Sequence, residues 1–95
     1  MINEFEIGAY AVSTAGHDSG KYYVILQMDS EFVYLVDGKI RILSRPKKKK
    51  MMHVQMLERS NQTLTDKVNN KTVIDEEIKK AIKLLQYGNS NKEVE

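Results

Sequence analysis

Hydrophobic and polar positions over the first half of the chain alternate with the short period of β-structure. Residues 7–14, IGAYAVST, carry closely spaced apolar and β-branched residues and predict a first strand. AGHDSGK follows, with two glycines bracketing polar residues, and reads as a loop. KYYVILQM, residues 21–28, is apolar on both faces, so it predicts a central or strongly curved strand. DSE turns the chain into FVYLV at residues 32–36. Asp37-Gly38 then predicts a tight type I′ hairpin, whose two central residues need positive φ. Beyond it, KIRIL places Ile40 and Ile42 on one face and Lys39 and Arg41 on the other. After a break at Pro46, MMHVQM alternates again, with Met52, Val54 and Met56 opposed to His53 and Gln55. Five short strands joined by short turns predict a small barrel or sandwich.

The pattern changes after Leu57. Residues 58–72 are polar and rich in Asn and Thr, which predicts a linker. From Val73 to Gly88 the period becomes helical, with Ile74, Ile78, Ile82 and Leu85 on one stripe. Asp75, Glu76 and Glu77 fall in the first turn and Gly88 stands just past the end, as helix termini prefer. Residues 89–95 predict a frayed tail. The division expected is therefore a β unit over 1–57, a linker over 58–72, a helix over 73–88 and a tail.

Charge alters this picture more than composition does. A chain of 95 residues is one domain, and its net charge of +2 conceals a strong asymmetry. Gly38 to Leu57 contains no Asp or Glu, while Lys39, Arg41, Arg45 and Lys47 to Lys50 fall within it. The absence of cysteine excludes disulfides and thiolate chemistry. No apolar run is long enough to span a bilayer, and the acidic start (Glu4, Glu6) is unlike a signal peptide, so a cytoplasmic protein away from membranes is expected.

Gly8 opening a strand, VSTAGHDSGKYYVIL with Gly16, Asp18 and Gly20, then VDGKIRIL and RPKKKKMMHV, follow one another in an order that resembles the KOW domain. The likeness extends to KOW proteins of the archaeal and eukaryotic large ribosomal subunit and to short bacterial proteins of that type. It covers a little over half the chain, from Ile7 to about Leu57, and leaves the helix outside. The resemblance implies a five-stranded SH3-like barrel followed by a C-terminal helix. It also implies RNA binding, to ribosomal RNA in particular, without catalysis. Family loops often carry Arg or Lys where this chain has His17 and Ser19, which leaves Lys21 as the fixed cation of the loop.

The candidate RNA-binding residues are Lys39, Arg41, Arg45, Lys47, Lys48, Lys49, Lys50 and His53, with His17 and Lys21 as a second contact. Four lysines in a row are by default a solvated stretch. Here the run sits between two expected strands, so its ends are anchored and it forms a cationic edge able to follow phosphates. Of the tyrosines, most suit the core with the hydroxyl at the rim. Tyr22 and Tyr23 must face opposite ways, and the outer one is the better partner for an unpaired base. His17-Asp18 lacks a third partner for a metal or an acid–base site, and no catalytic constellation or cofactor fingerprint is present. No enzyme, metal or cofactor is expected. The reading is a ribosome-associated or translation-related RNA-binding protein. Its alternative is a protein-interaction adaptor using the barrel or the helical stripe.

Overall fold

The computed structural model describes residues 5–94, and their side chains as far as residue 87. The elements are β1 (Tyr10–Ser13), β2 (Tyr22–Met28), β3 (Phe32–Val36), β4 (Lys47–Lys50), a 3₁₀ turn at Met51–His53, β5 (Val54–Met56), α1 (Gln62–Asn69) and α2 (Asp75–Val94). The strands form one antiparallel sheet in the order β4-β3-β2-β1-β5. This sheet is not closed: β4 and β5 are its two edges. The protein is a small β-rich fold with two helices rather than a closed barrel with one.

β2 is the middle strand, and Val24 and Ile25 at adjacent positions are both 0 % exposed. Neighbours on a strand face opposite sides, so burial of both means that both faces of the sheet are covered. On one face Tyr10, Val24 and Val36 pack with Leu64 and Val68 of α1 and with Ile78 and Ile82 of α2. On the other, Ala11, Tyr23, Ile25, Val33, Leu35 and Val54 form a second cluster, with Phe5, Met28, Met51 and Met56 against it. The register shifts between Ile25 and Gln27, and such a bulge bends its strand and increases local twist. Among the described residues every buried side-chain polar atom has a hydrogen-bond partner.

Three expectations for the strands are corrected. Asp37-Gly38 is not a two-residue hairpin, because Gly38 has φ of 75° while Asp37 is not in the left-handed region. Asp37 instead accepts the amides of Lys39, Ile40 and Arg41 on one carboxylate oxygen, at 2.9, 3.0 and 2.8 Å. This is the local side-chain capture by which Asp competes with a ladder, and it widens the turn. KIRIL is consequently irregular, Ile40 is 69 % exposed, and the fourth strand is the lysine run itself. MMH forms the 3₁₀ turn, so Met52 is 76 % exposed while Val54 is buried, and the two do not share a face.

The expected linker over 58–72 is corrected too, since it contains α1. The Asn61 side chain caps it by accepting the Leu64 amide at 2.8 Å. Leu64 and Val68, one turn apart, are its buried residues. Residues 1–57 are therefore not a self-sufficient unit, because α1 and α2 supply half the partners of the first core cluster. If the capped helix forms part of the cooperative fold, Asn61→Ala lowers stability by about 1 kcal/mol. A thermal melt indistinguishable from wild type would mean that the segment behaves as the linker its composition suggests.

α2 begins at Asp75, two residues later than expected, and continues to Val94 through most of the stretch read as a frayed tail. Glu95 and Glu4 lie outside the described residues. At its start Glu77 accepts the Ile74 amide at 3.0 Å and pairs with Lys67 of α1. The Lys67 ammonium, followed by the Ile74 amide, holds the Glu77 carboxyl below its ordinary range. Among the described residues no helix is long and apolar enough to cross a membrane.

Candidate nucleic-acid interface

β4 pairs with β3 through Leu35–Lys47, Tyr34–Lys48, Val33–Lys49 and Phe32–Lys50. Alternation then divides the four lysines between the two faces of the sheet, and their burial alternates accordingly. Lys47 and Lys49 lie on the side of Leu35 and Val33. Lys48 and Lys50 lie on the side of Tyr34 and Phe32.

The inward pair meets Asp18, carried there by the loop between β1 and β2. Asp18 is 7 % exposed. One of its oxygens accepts Ser13 Oγ at 2.8 Å and Lys49 Nζ at 2.9 Å; the other accepts Tyr23 Oη at 2.8 Å and has Lys47 Nζ at 3.5 Å. Lys49 also donates to the Ala15 carbonyl at 2.8 Å. Burial pushes the Asp18 carboxyl upward, but the Lys49 ammonium, the Tyr23 and Ser13 hydroxyls and the Lys47 charge outweigh it. They hold the group well below the usual carboxylate range. Burial, then the bond to Asp18 and its charge, push the Tyr23 hydroxyl above its ordinary value. Lys47 and Lys49 thus neutralise a buried carboxylate and lock an edge strand to a loop. An inward-pointing charge on an edge also discourages pairing with another chain.

The outward pair is placed differently. Lys48 Nζ lies 4.3 Å from the centroid of the Phe32 ring, and both Lys48 and Lys50 are exposed. The nearby Asp29 carboxylate is committed to the Glu31 and Phe32 amides and to the Tyr34 hydroxyl. Those two amides, chiefly, hold its pKa below normal, with a smaller contribution from Lys48.

The remaining candidates do not form one edge. Arg45 is exposed and Arg41 half-buried in the irregular 37–46 segment. His53 is half-buried in the 3₁₀ turn, where its carbonyl accepts the Thr14 amide at 2.9 Å, and His17 is exposed on the Asp18 loop. Lys21 and Lys39 part from these and border a cleft of about 700 Å³ between the β1–β2 loop, the 37–46 segment and α2. Two cations that sequence reasoning missed, Lys79 and Lys83, line the same cleft from α2. Their signal was present as a four-residue spacing continued by Tyr87, which puts all three along one helical ridge.

The cleft is held open by backbone contact. A Cβ at Gly38 would lie 2.2 Å from the Asp75 carbonyl oxygen and 2.7 Å from the Lys79 nitrogen, so the 37–46 segment sits directly on the first turns of α2. Asp75 accepts the Leu43 amide at 2.7 Å, which ties the far side of that segment to the helix. Its charge therefore serves a tertiary contact in addition to the helix terminus. Among the described residues no three His, Asp or Glu side chains come together to hold a metal ion. Compared with protein-family models and with curated proteins, the chain matches none.

Proposed function

We propose that this chain is a cytoplasmic RNA-binding protein, ribosome-associated or otherwise translation-related, whose sheet is an SH3-like unit of the KOW type. The unit's resemblance at the level of sequence is supported by the way the last strand, β5, returns to pair with β1, and by the bulge that bends β2. The function rests on one observation. Lys48 and Lys50 project from an anchored edge strand, side by side on one face, within a stretch free of carboxylates. Exposed lysines on a rigid frame suit phosphate oxygens, a contact that positions RNA without reading its sequence.

The stripe that would serve a protein adaptor is occupied: Ile78 and Ile82 are 0 % and 8 % exposed under the sheet. This favours RNA over a helix-borne protein contact.

The lysine run consequently separates into two experimental classes. Lys48→Ser with Lys50→Ser is expected to weaken binding of a structured ribosomal RNA fragment about tenfold at low salt. It should also flatten the log–log salt dependence by about 1.4 to 1.8, the value for two phosphates released. Thermal stability of this variant should stay within about 0.5 kcal/mol of wild type. Unchanged affinity in that variant would remove the β4 edge from the site.

A further inference from the structure

Lys21, Lys39, Lys79 and Lys83 come from three separate segments of the chain and converge on one cleft. Only one carboxylate lines it, that of Asp37, and one of its oxygens is already shared by three backbone amides. Convergence distinguishes this arrangement from lysines scattered on a solvated helix face, because four ammonium groups around one concavity repel each other unless an anion enters. The cleft also carries flat and apolar surface. Tyr22 is the outer member of the Tyr22-Tyr23 pair: Tyr23 is 2 % exposed, whereas Tyr22 is half-buried and reaches the cleft wall. Tyr87 is 57 % exposed and Ile40 is 69 % exposed, and both line the same space. Lys83 Nζ lies 5.9 Å from the Tyr87 ring centroid, so cation and ring face a common ligand volume.

Resting on the RNA-binding reading above, we infer that this cleft receives an unpaired segment of the RNA, with a base against Tyr22 or Tyr87 and its flanking phosphates on the four lysines. Bases within a duplex already have both faces stacked and cannot offer one to a tyrosine. A single strand can, and base–aromatic stacking is tolerant of sequence. At about 700 Å³ the space falls in the range of ligand sites and suits a nucleotide rather than a helix groove. The cleft and the β4 edge then divide the work: Lys48 and Lys50 take phosphates of folded RNA, and the cleft takes a loop or end.

The test uses the full chain and fluorescence anisotropy with a short labelled oligouridylate, a duplex RNA of equal length, and a salt series. The variants are Lys79→Ser with Lys83→Ser, Tyr87→Ala, and Lys48→Ser with Lys50→Ser. Since Lys79, Lys83 and Tyr87 are exposed and outside both core clusters, the fold should survive, as circular dichroism would verify. The cleft lysine variant is expected to lose about tenfold in affinity for the single strand and to flatten its salt slope by about 1.4. Tyr87→Ala should lose about fivefold or more with the slope unchanged, because stacking releases no counterions. A 4-thiouridine in the strand should crosslink to the peptide bearing Tyr87. Cleft variants that bind like wild type, alongside a weakened Lys48/Lys50 variant, would overturn the cleft and leave the phosphate-binding edge intact. A lysine effect without any Tyr87 effect or crosslink would overturn the unpaired-base assignment. A wild-type chain that binds neither RNA at low salt would overturn both readings.

Discussion

Asp18→Asn is expected to cost about 3 kcal/mol of stability at neutral pH, measured by urea denaturation. The substitution keeps the shape of the side chain and removes the charge that Lys49 and Lys47 offset. Their side chains are 12 % and 26 % exposed, and that of Asp18 is 9 % exposed, so Lys49 in particular would be left charged and poorly solvated. Breaking a buried pair by removing one partner costs about 3–5 kcal/mol, and this pair, near the rim, belongs at the lower end. With stabilities of about 5–15 kcal/mol for such domains, the melting temperature should drop by more than about 10 °C. A loss below about 1 kcal/mol would mean that the contact is a solvated surface pair and that Lys47 and Lys49 are free to meet a ligand.

The same group sets an acid limb. The folded state holds the Asp18 carboxyl below its ordinary range, so the unfolded chain binds the proton more readily. The stabilisation is complete above the unfolded pKa of about 4 and is lost as pH falls from there toward the lower folded value. Wild type should therefore lose stability steeply below about pH 4.5, and Asp18→Asn should show a shallower decline over that interval. Parallel curves for the two proteins would assign the acid limb to other carboxylates.

Gly38→Ala is the second large effect, expected at about 3–5 kcal/mol. Two costs combine. The residue has φ of 75°, where an L side chain carries a penalty of about 1–2 kcal/mol. Its Cβ would also fall 2.2 Å and 2.7 Å from backbone atoms of Asp75 and Lys79, which cannot swing aside as a side-chain tip can. Either the 37–46 segment or the start of α2 must move, and Ile78, fully buried one turn along, moves with it. Differential amide exchange should show faster exchange in α2 and in the 37–46 segment, while β1 and β5 are spared. A stable variant with native α2 protection would show that the segment does not rest on the helix.

The course of the chain from residue 10 to residue 36 was legible because its signals are local. The two-sided apolar run KYYVILQM announced a central strand, and β2 is one. The stripe Ile78, Ile82, Leu85 announced an amphipathic helix, and its first two members are buried. α1 escaped because its apolar face holds only Leu64 and Val68, and because Lys71 stands at φ of 61° just after it, where glycine would have marked the end. KIRIL looked more like a strand than KKKK by propensity, since lysine is depleted in strands. What reversed the choice was Asp37 capturing three amides and Asp18 neutralising two lysines from more than thirty residues away.

By itself, then, the sequence determined the periods of the elements, the segregation of charge around residues 38–57 and the absence of thiol chemistry, since each follows from residues near one another in the chain. Tertiary structure decided which lysines are available. Alternation on an edge strand turns Lys47 and Lys49 to a buried carboxylate and Lys48 and Lys50 to solvent, and the packing of α2 against Gly38 brings Lys79 and Lys83 to the side of Lys21 and Lys39. A charge acts through its distance to other charges and through its burial, and both quantities exist only once the chain has folded.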